Sequence, residues 1–207
     1  PPREEEARVV PVIQSIRDEL PDIGISIDTR RSTVASASLD AGADMINDVS
    51  SLGDSGMADV IVEYGCPVCL MHMKGTPENM QKNPQYSDVV SEVRKSLSDS
   101  TTKLNLLGVD NSRIIVDPGI GFGKLLQHNL SLLSSGRDVL PEEDIGLMWG
   151  VSRKSMFADL LGRDSTEDRL AGSLGVASKA HSYGVDIIRV HDVAEHDDLF
   201  TTINSLR

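Results

Sequence analysis

The chain repeats one pattern: a short apolar run, a polar or glycine-rich patch, then a longer stretch with apolar residues at helical spacing. The apolar runs are 23–27, 43–46, 67–70, 113–116, 145–149 and 185–190. Helical spacing occupies residues 31–42, 55–65, 86–108, 125–139, 154–161, 166–183 and 194–206. An opening helix is predicted too. Glu4, Glu5 and Glu6 suit the positive end of a helix dipole, and Val9, Val10, Ile13 and Ile16 give one apolar face.

Strands alternating with helices predict an α/β fold with a parallel sheet and right-handed crossovers. Six strand–helix units behind a leading helix fit the last three-quarters of a (β/α)8 barrel, with the opening strands missing. An open doubly wound sheet is the rival. Periodicity does not separate the two, but the placement of chemistry does. Barrel sites gather just past the strand ends on one face, whereas a doubly wound sheet concentrates its site at one switch point. Every run here finishes on residues with chemistry: Asp28, Asn47, Met71 with His72, Asp117, Ser152 to Lys154, and Arg189 to His191. That distribution favours a barrel, read as a single domain over residues 1–207.

The formal net charge of −12 argues against nucleic acid, which needs a basic face. It also requires any anionic substrate to be held by a local basic cluster. Hydrophobic residues make up 39% of the chain but aromatics only 3%, so the core rests on aliphatic side chains and Met. No apolar run approaches the roughly eighteen residues of a membrane span, and no signal peptide opens the chain. The two cysteines, Cys66 and Cys69, flank a strand-like segment, where positions three apart face opposite ways. They read as structural thiols in a reducing cytosol rather than as a redox pair.

The segment 114–124, ending Asp-Pro-Gly-Ile-Gly-Phe-Gly-Lys, is rich in glycine, so nucleotide motifs need testing. A P-loop would need glycine where Pro118 stands and Ser or Thr where Leu125 stands. The dinucleotide pattern fails because Lys124 replaces its third glycine. What remains is a carboxylate at a strand end, followed by a loop that lets backbone approach a ligand; Asp-Pro-Gly is also ordinary turn chemistry. Asp28, Asn47 and Asp117 could form a general acid/base pair with a helper. They could equally accept and donate hydrogen bonds to a nitrogen heterocycle, with Lys154 donating to a ring carbonyl. In the plainest reading Asp28 caps the helix near Arg31 and Asn47 closes a turn. Arg153, Lys154, Arg189 and His191 come late, after strands whose loops frequently hold phosphate in barrels, and together suggest an anion pocket. His72 reads as structural or supporting. His128, His181 and His196 lie on helical stretches without partners at ligand spacing, so no metal cage made by this chain is indicated.

Six segments then match one family in its own order: Ser-Ile-Asp-Thr (26–29), Ile-Asn-Asp-Val (46–49), Leu-Met-His-Met (70–73), Asp-Pro-Gly-Ile-Gly-Phe-Gly-Lys (117–124), Ser-Arg-Lys-Ser (152–155) and Arg-Val-His-Asp (189–192). Together they resemble dihydropteroate synthase. The resemblance implies a (β/α)8 barrel that joins 6-hydroxymethyl-7,8-dihydropterin pyrophosphate to p-aminobenzoate, inhibited by sulfonamides. By position, Asp28, Asn47, Asp117 and Lys154 would bond the pterin, Val49, Met71, Gly121 and Phe122 would line its pocket, and Arg189 would stack on it. Arg189 and His191 would hold pyrophosphate, and Ser152, Arg153, Lys154 and Ser155 would lie toward p-aminobenzoate. The resemblance further implies Mg²⁺ as cofactor, a cytoplasmic homodimer, and family strands upstream of residue 1 carrying the Mg²⁺-binding asparagine and two mobile loops. The alternatives are the folate-binding barrel of a corrinoid methyltransferase and a pterin-binding remnant without turnover.

Overall fold

The computed structural model describes residues 2–76 and 79–206. Six strands alternate with eight helices: α1 (Pro2–Glu19), β1 (Ser26–Asp28), α2 (Ser32–Asp40), β2 (Met45–Asp48), α3 (Met57–Tyr64), β3 (Val68–Met71), α4 (Val89–Leu106), β4 (Ile114–Asp117), α5 (Leu126–Ser135), β5 (Gly146–Trp149), α6 (Met156–Leu161), α7 (Leu170–Ala180), β6 (Ile187–Ile188) and α8 (Val193–Ser205). Each strand pairs in parallel with the next, giving the order β1-β2-β3-β4-β5-β6. A doubly wound sheet must reverse its order somewhere. This one never does, so the barrel reading holds, as six strands of one.

The register sets which side chains face inward. Asp28 pairs with Asn47, Asn47 with Cys69, and Met71 with Asp117, so these residues share the concave face. Alternation then sends Ile46, Val68, Leu70, Val116, Leu147 and Trp149 outward into the layer packed by helices. Each fully buried aliphatic side chain among them stabilises the fold by about 1.5–3 kcal/mol. Cys66 and Cys69 are buried free thiols, and burial raises both pKa values, as expected for structural cysteines.

The predicted elements are present with shifted bounds, and β1 to β4 each end one or two residues later than their predicted runs. The first strand runs one residue beyond its predicted run, through Asp28, and the last is only Ile187–Ile188 within the predicted 185–190. The predicted helix 166–183 is a 3-10 turn (Glu167–Arg169), α7 and a second 3-10 turn (His181–Tyr183). On α1, Ile13 is buried while Ile16 remains 36% exposed. Arg17 anchors that helix to the sheet: its guanidinium donates to the carbonyls of Gly42, Pro21 and Ile23 and pairs with Asp44 at 2.6 Å.

Candidate active site

The C-terminal ends of the strands carry Asp28, Asn47, Met71 and Asp117, and Arg189 follows β6. Asp28 does not cap α2, whose entry is served instead by Thr29 Oγ1 and the Asp54 carboxylate. It accepts from Asn47 Nδ2 at 2.9 Å and from Arg189. The Arg189 pair connects the two edge strands, β1 and β6, which share no backbone ladder. Because a carboxylate only accepts, it fixes the Asn47 amide with nitrogen toward Asp28. That leaves Asn47 Oδ1 buried without a partner. Among the described residues three other buried side-chain atoms share this condition, Ser38 Oγ, Trp149 Nε1 and His196 Nε2, but none belongs to a predicted site residue. An unpaired buried acceptor is costly, and at a site it invites a donor from a ligand.

Asp117 is 2% exposed and accepts from the Gly119 N–H at 2.7 Å. Burial pushes its carboxyl pKa up, opposed by the Gly119 N–H and by Lys154, Arg189 and Lys124. A Cβ on Gly150 would stand 3.3 Å from Asp117 Oδ2 and 3.5 Å from Arg189 Nη2, so the glycine keeps the space between them clear. Lys154 lies with its Nζ 4.0 Å above the Phe122 ring, and burial lowers its pKa to about 8. Gly121 is close to the Lys154 stem and has φ +84°, a backbone conformation that disfavours any side chain. Met71 is buried on the inward face beside Asp117, and Val49 sits half-buried in the turn after β2.

The anion half lies next to this. Ser152 Oγ is 2.9 Å from His191 Nδ1 and accepts from the His191 backbone N–H. Gly150, Ser152, Lys154, Arg189, Val190 and His191 line a cavity of about 320 Å³. Asp28, Asn47, Met148 and Arg189 belong to a second cavity of about 410 Å³ with an otherwise largely apolar wall. Arg189 and Val190 border both, so the two spaces adjoin at the arginine. A larger cavity, about 550 Å³, lies over the loops after β1 to β3 and includes none of the predicted site residues.

Arg153 and Ser155 are not brought to either site cavity. The Arg153 guanidinium makes two bonds to Asp192, and Ser155 is exposed at the start of α6. The sequence reading passed over Gly150 and gave Asp192 and Lys124 no role, although the last two stand inside its motifs. A glycine one residue past an apolar strand run was the available signal for Gly150. Lys124 is buried and donates to the carbonyls of Gly119 and Phe122 at 3.0 and 2.9 Å; burial lowers its pKa to about 7. His72, beside it, is held neutral with a pKa of about 3 by burial and the nearby lysines.

Over residues 1–191 the chain matches the pterin binding enzymes. It is 42% identical over 192 residues to the dihydropteroate synthase of Escherichia coli (strain K12), covering 93% of this chain and 67% of that protein. A solved Xanthomonas albilineans dihydropteroate synthase in complex with 7,8-dihydropteroate superposes with a TM-score of 0.92 at 36% identity, covering all of this chain and 75% of that one. A Yersinia pestis dihydropteroate synthase with a sulfonamide drug complex gives 0.91 at 36%, covering 99% of this chain and 74% of that one.

Proposed function

The chain belongs to the family of pterin binding enzymes, and from that membership we propose that it carries out the dihydropteroate synthase reaction of folate biosynthesis. In that reaction 6-hydroxymethyl-7,8-dihydropterin pyrophosphate and p-aminobenzoate give dihydropteroate and pyrophosphate. The observation that carries the reading is the Asn47 amide: bound to Asp28 on its donor side and unpaired on its acceptor side. With Asp28 and Asp117 it forms a set of acceptors facing a heterocycle rich in N–H groups, while Lys154 supplies a donor for the ring carbonyl. Asp117 and Asp28 also favour positive charge developing on the bound ring.

The C–O bond to pyrophosphate breaks with its electron pair on the leaving oxygen. Arg189 and His191, the latter fixed by Ser152, receive that anion. The aryl amine nitrogen then forms the C–N bond and releases one proton to solvent. No side-chain nucleophile is required. Ser152 and Lys154, which line the cavity beside His191, are proposed to meet p-aminobenzoate; Arg153 would act there only by leaving Asp192, and Ser155 only from the rim.

Mg²⁺ is proposed to accompany the pyrophosphate on its own phosphate oxygens, supplying charge neutralisation to the leaving group. No group of three or more His, Cys, Asp or Glu that could hold a metal occurs among the described residues, so no step is assigned to the ion. No helix of the described residues is long and apolar enough to cross a membrane. A cytoplasmic homodimer is a further proposal that rests on the family resemblance alone. The test is pyrophosphate released by the purified chain from the pterin ester, with and without p-aminobenzoate. Release that requires the amine and yields dihydropteroate supports the reading. Tight pterin binding without any release would leave a binding protein.

A further inference from the structure

Arg153 has φ +56°, in the left-handed region that a side chain disfavours. It stands between Ser152 and Lys154, which border one cavity but make different contacts: Ser152 bonds His191, and Lys154 lies over Phe122 beside Asp117. A backbone outlier persists only where its surroundings hold it. Here both backbone groups of Arg153 are captured from the start of α7. Its N–H donates to Ser173 Oγ at 2.9 Å, and its carbonyl accepts from Arg169 Nη1 at 3.1 Å. Arg169 is 8% exposed and also donates to the carbonyls of Arg163 and Asp164; Ser173 is fully buried and donates to the Arg169 carbonyl. Neither side chain reaches the site cavities.

We propose that Arg169 and Ser173 are positioning residues that lock Arg153 in its left-handed turn, and so aim Ser152 at His191 and Lys154 at the pterin. The lysine arm rests on the pterin-binding reading; the serine arm does not. With the lock in place, the conformational preference of residue 153 is overridden. Without it, a Cβ at 153 drives the turn toward right-handed backbone, and the two arms lose their directions together.

The experiment compares Arg153→Gly with Arg153→Ala, each alone and each combined with Arg169→Met. Both substitutions remove the bonds to Asp192, so within each pair only the left-handed cost differs. Two signals are read: the His191 imidazole NMR resonances, which report the Ser152 contact without any ligand, and the dissociation constant for dihydropterin. With Arg169 intact, the Gly and Ala variants should match in both signals. With Arg169→Met, the Gly variant should keep the His191 resonances and the affinity. The Ala variant should lose the resonances and bind about five- to thirtyfold more weakly, the ratio that a left-handed Cβ carries. Equal behaviour of Gly and Ala alongside Arg169→Met overturns the proposal. If Arg169→Met does not fold, Ser173→Ala carries the same comparison. If the unaltered chain binds no dihydropterin, the proposed function fails, while the His191 resonances still decide the lock.

Discussion

Lys124 Nζ lies 3.0 Å from His72 Nδ1, in a buried position where the lysine is the donor and the neutral imidazole the acceptor. The same amine bonds the carbonyls of Gly119 and Phe122, so it ties the loop after β4 to the end of β3. Gly119 must be glycine for this approach, since a Cβ there would fall 1.8 Å from the His72 carbonyl oxygen. The contact braces the loop that carries Gly121 and Phe122. Lys124→Met should leave several carbonyls short of a donor and cost about 1–3 kcal/mol in stability. It should also raise the dihydropterin dissociation constant about tenfold, or about 1.4 kcal/mol. Urea unfolding and a fluorescence titration check the two effects. A normal dissociation constant in the folded variant would show that the loop keeps its place unaided.

Asp117→Asn replaces one acceptor oxygen with a donor in a site that is almost fully buried. Dihydropterin binding should weaken by about 1.5–3 kcal/mol, ten- to hundredfold in dissociation constant. Calorimetric titration of the folded variant measures it, and unchanged affinity would remove Asp117 from the pterin contacts.

His191→Ala should discriminate between two ligands. Its contact is proposed to be with the anion, so the pyrophosphate ester should lose more affinity than the free pterin alcohol. Equal losses for both would assign His191 another part.

Lys154 and Lys124 have pKa values lowered by burial to about 8 and about 7. Both carry charge below those values and are neutral above them. Dihydropterin affinity should therefore be full below about pH 8 and fall above it as Lys154 loses its charged donor, and Lys154→Met should abolish that alkaline limb. Stability should move the other way. Lys124 in the unfolded chain titrates near about 10.4, so between about pH 7 and that value the folded chain binds fewer protons. The contribution of this residue to stability then rises with pH across that window. Parallel binding and denaturation series from pH 6 to 10, roughly, compare the trends, and an affinity that stays flat across pH 8 would contradict the Lys154 assignment.

Sulfonamide inhibition of pyrophosphate release should be competitive with p-aminobenzoate and weakened by substitution of Ser152. Steady-state inhibition at several p-aminobenzoate concentrations tests this. Inhibition independent of that concentration would place the drug elsewhere.

Much of this was written in the order of the residues. Alternating apolar runs and helical stretches were enough for a parallel α/β sheet, because burying one face of each element leaves few arrangements. Asp28, Asn47, Asp117, Lys154 and Arg189 were legible as strand-end chemistry for the same reason: a side chain just past a parallel strand emerges at the mouth. Tertiary structure alone decided the contacts among them. Asp28 and Arg189 are 161 positions apart, and only the curvature of six consecutively paired strands brings them together. The unpaired oxygen of Asn47 follows from register, which local periodicity does not encode, since sliding a strand by one residue would turn the same side chain away. Arg153 was the hardest to read. Its basic type suggested an anion, but its backbone is turned left-handed by α7 and its charge is neutralised by Asp192, both contacts made from segments distant in sequence.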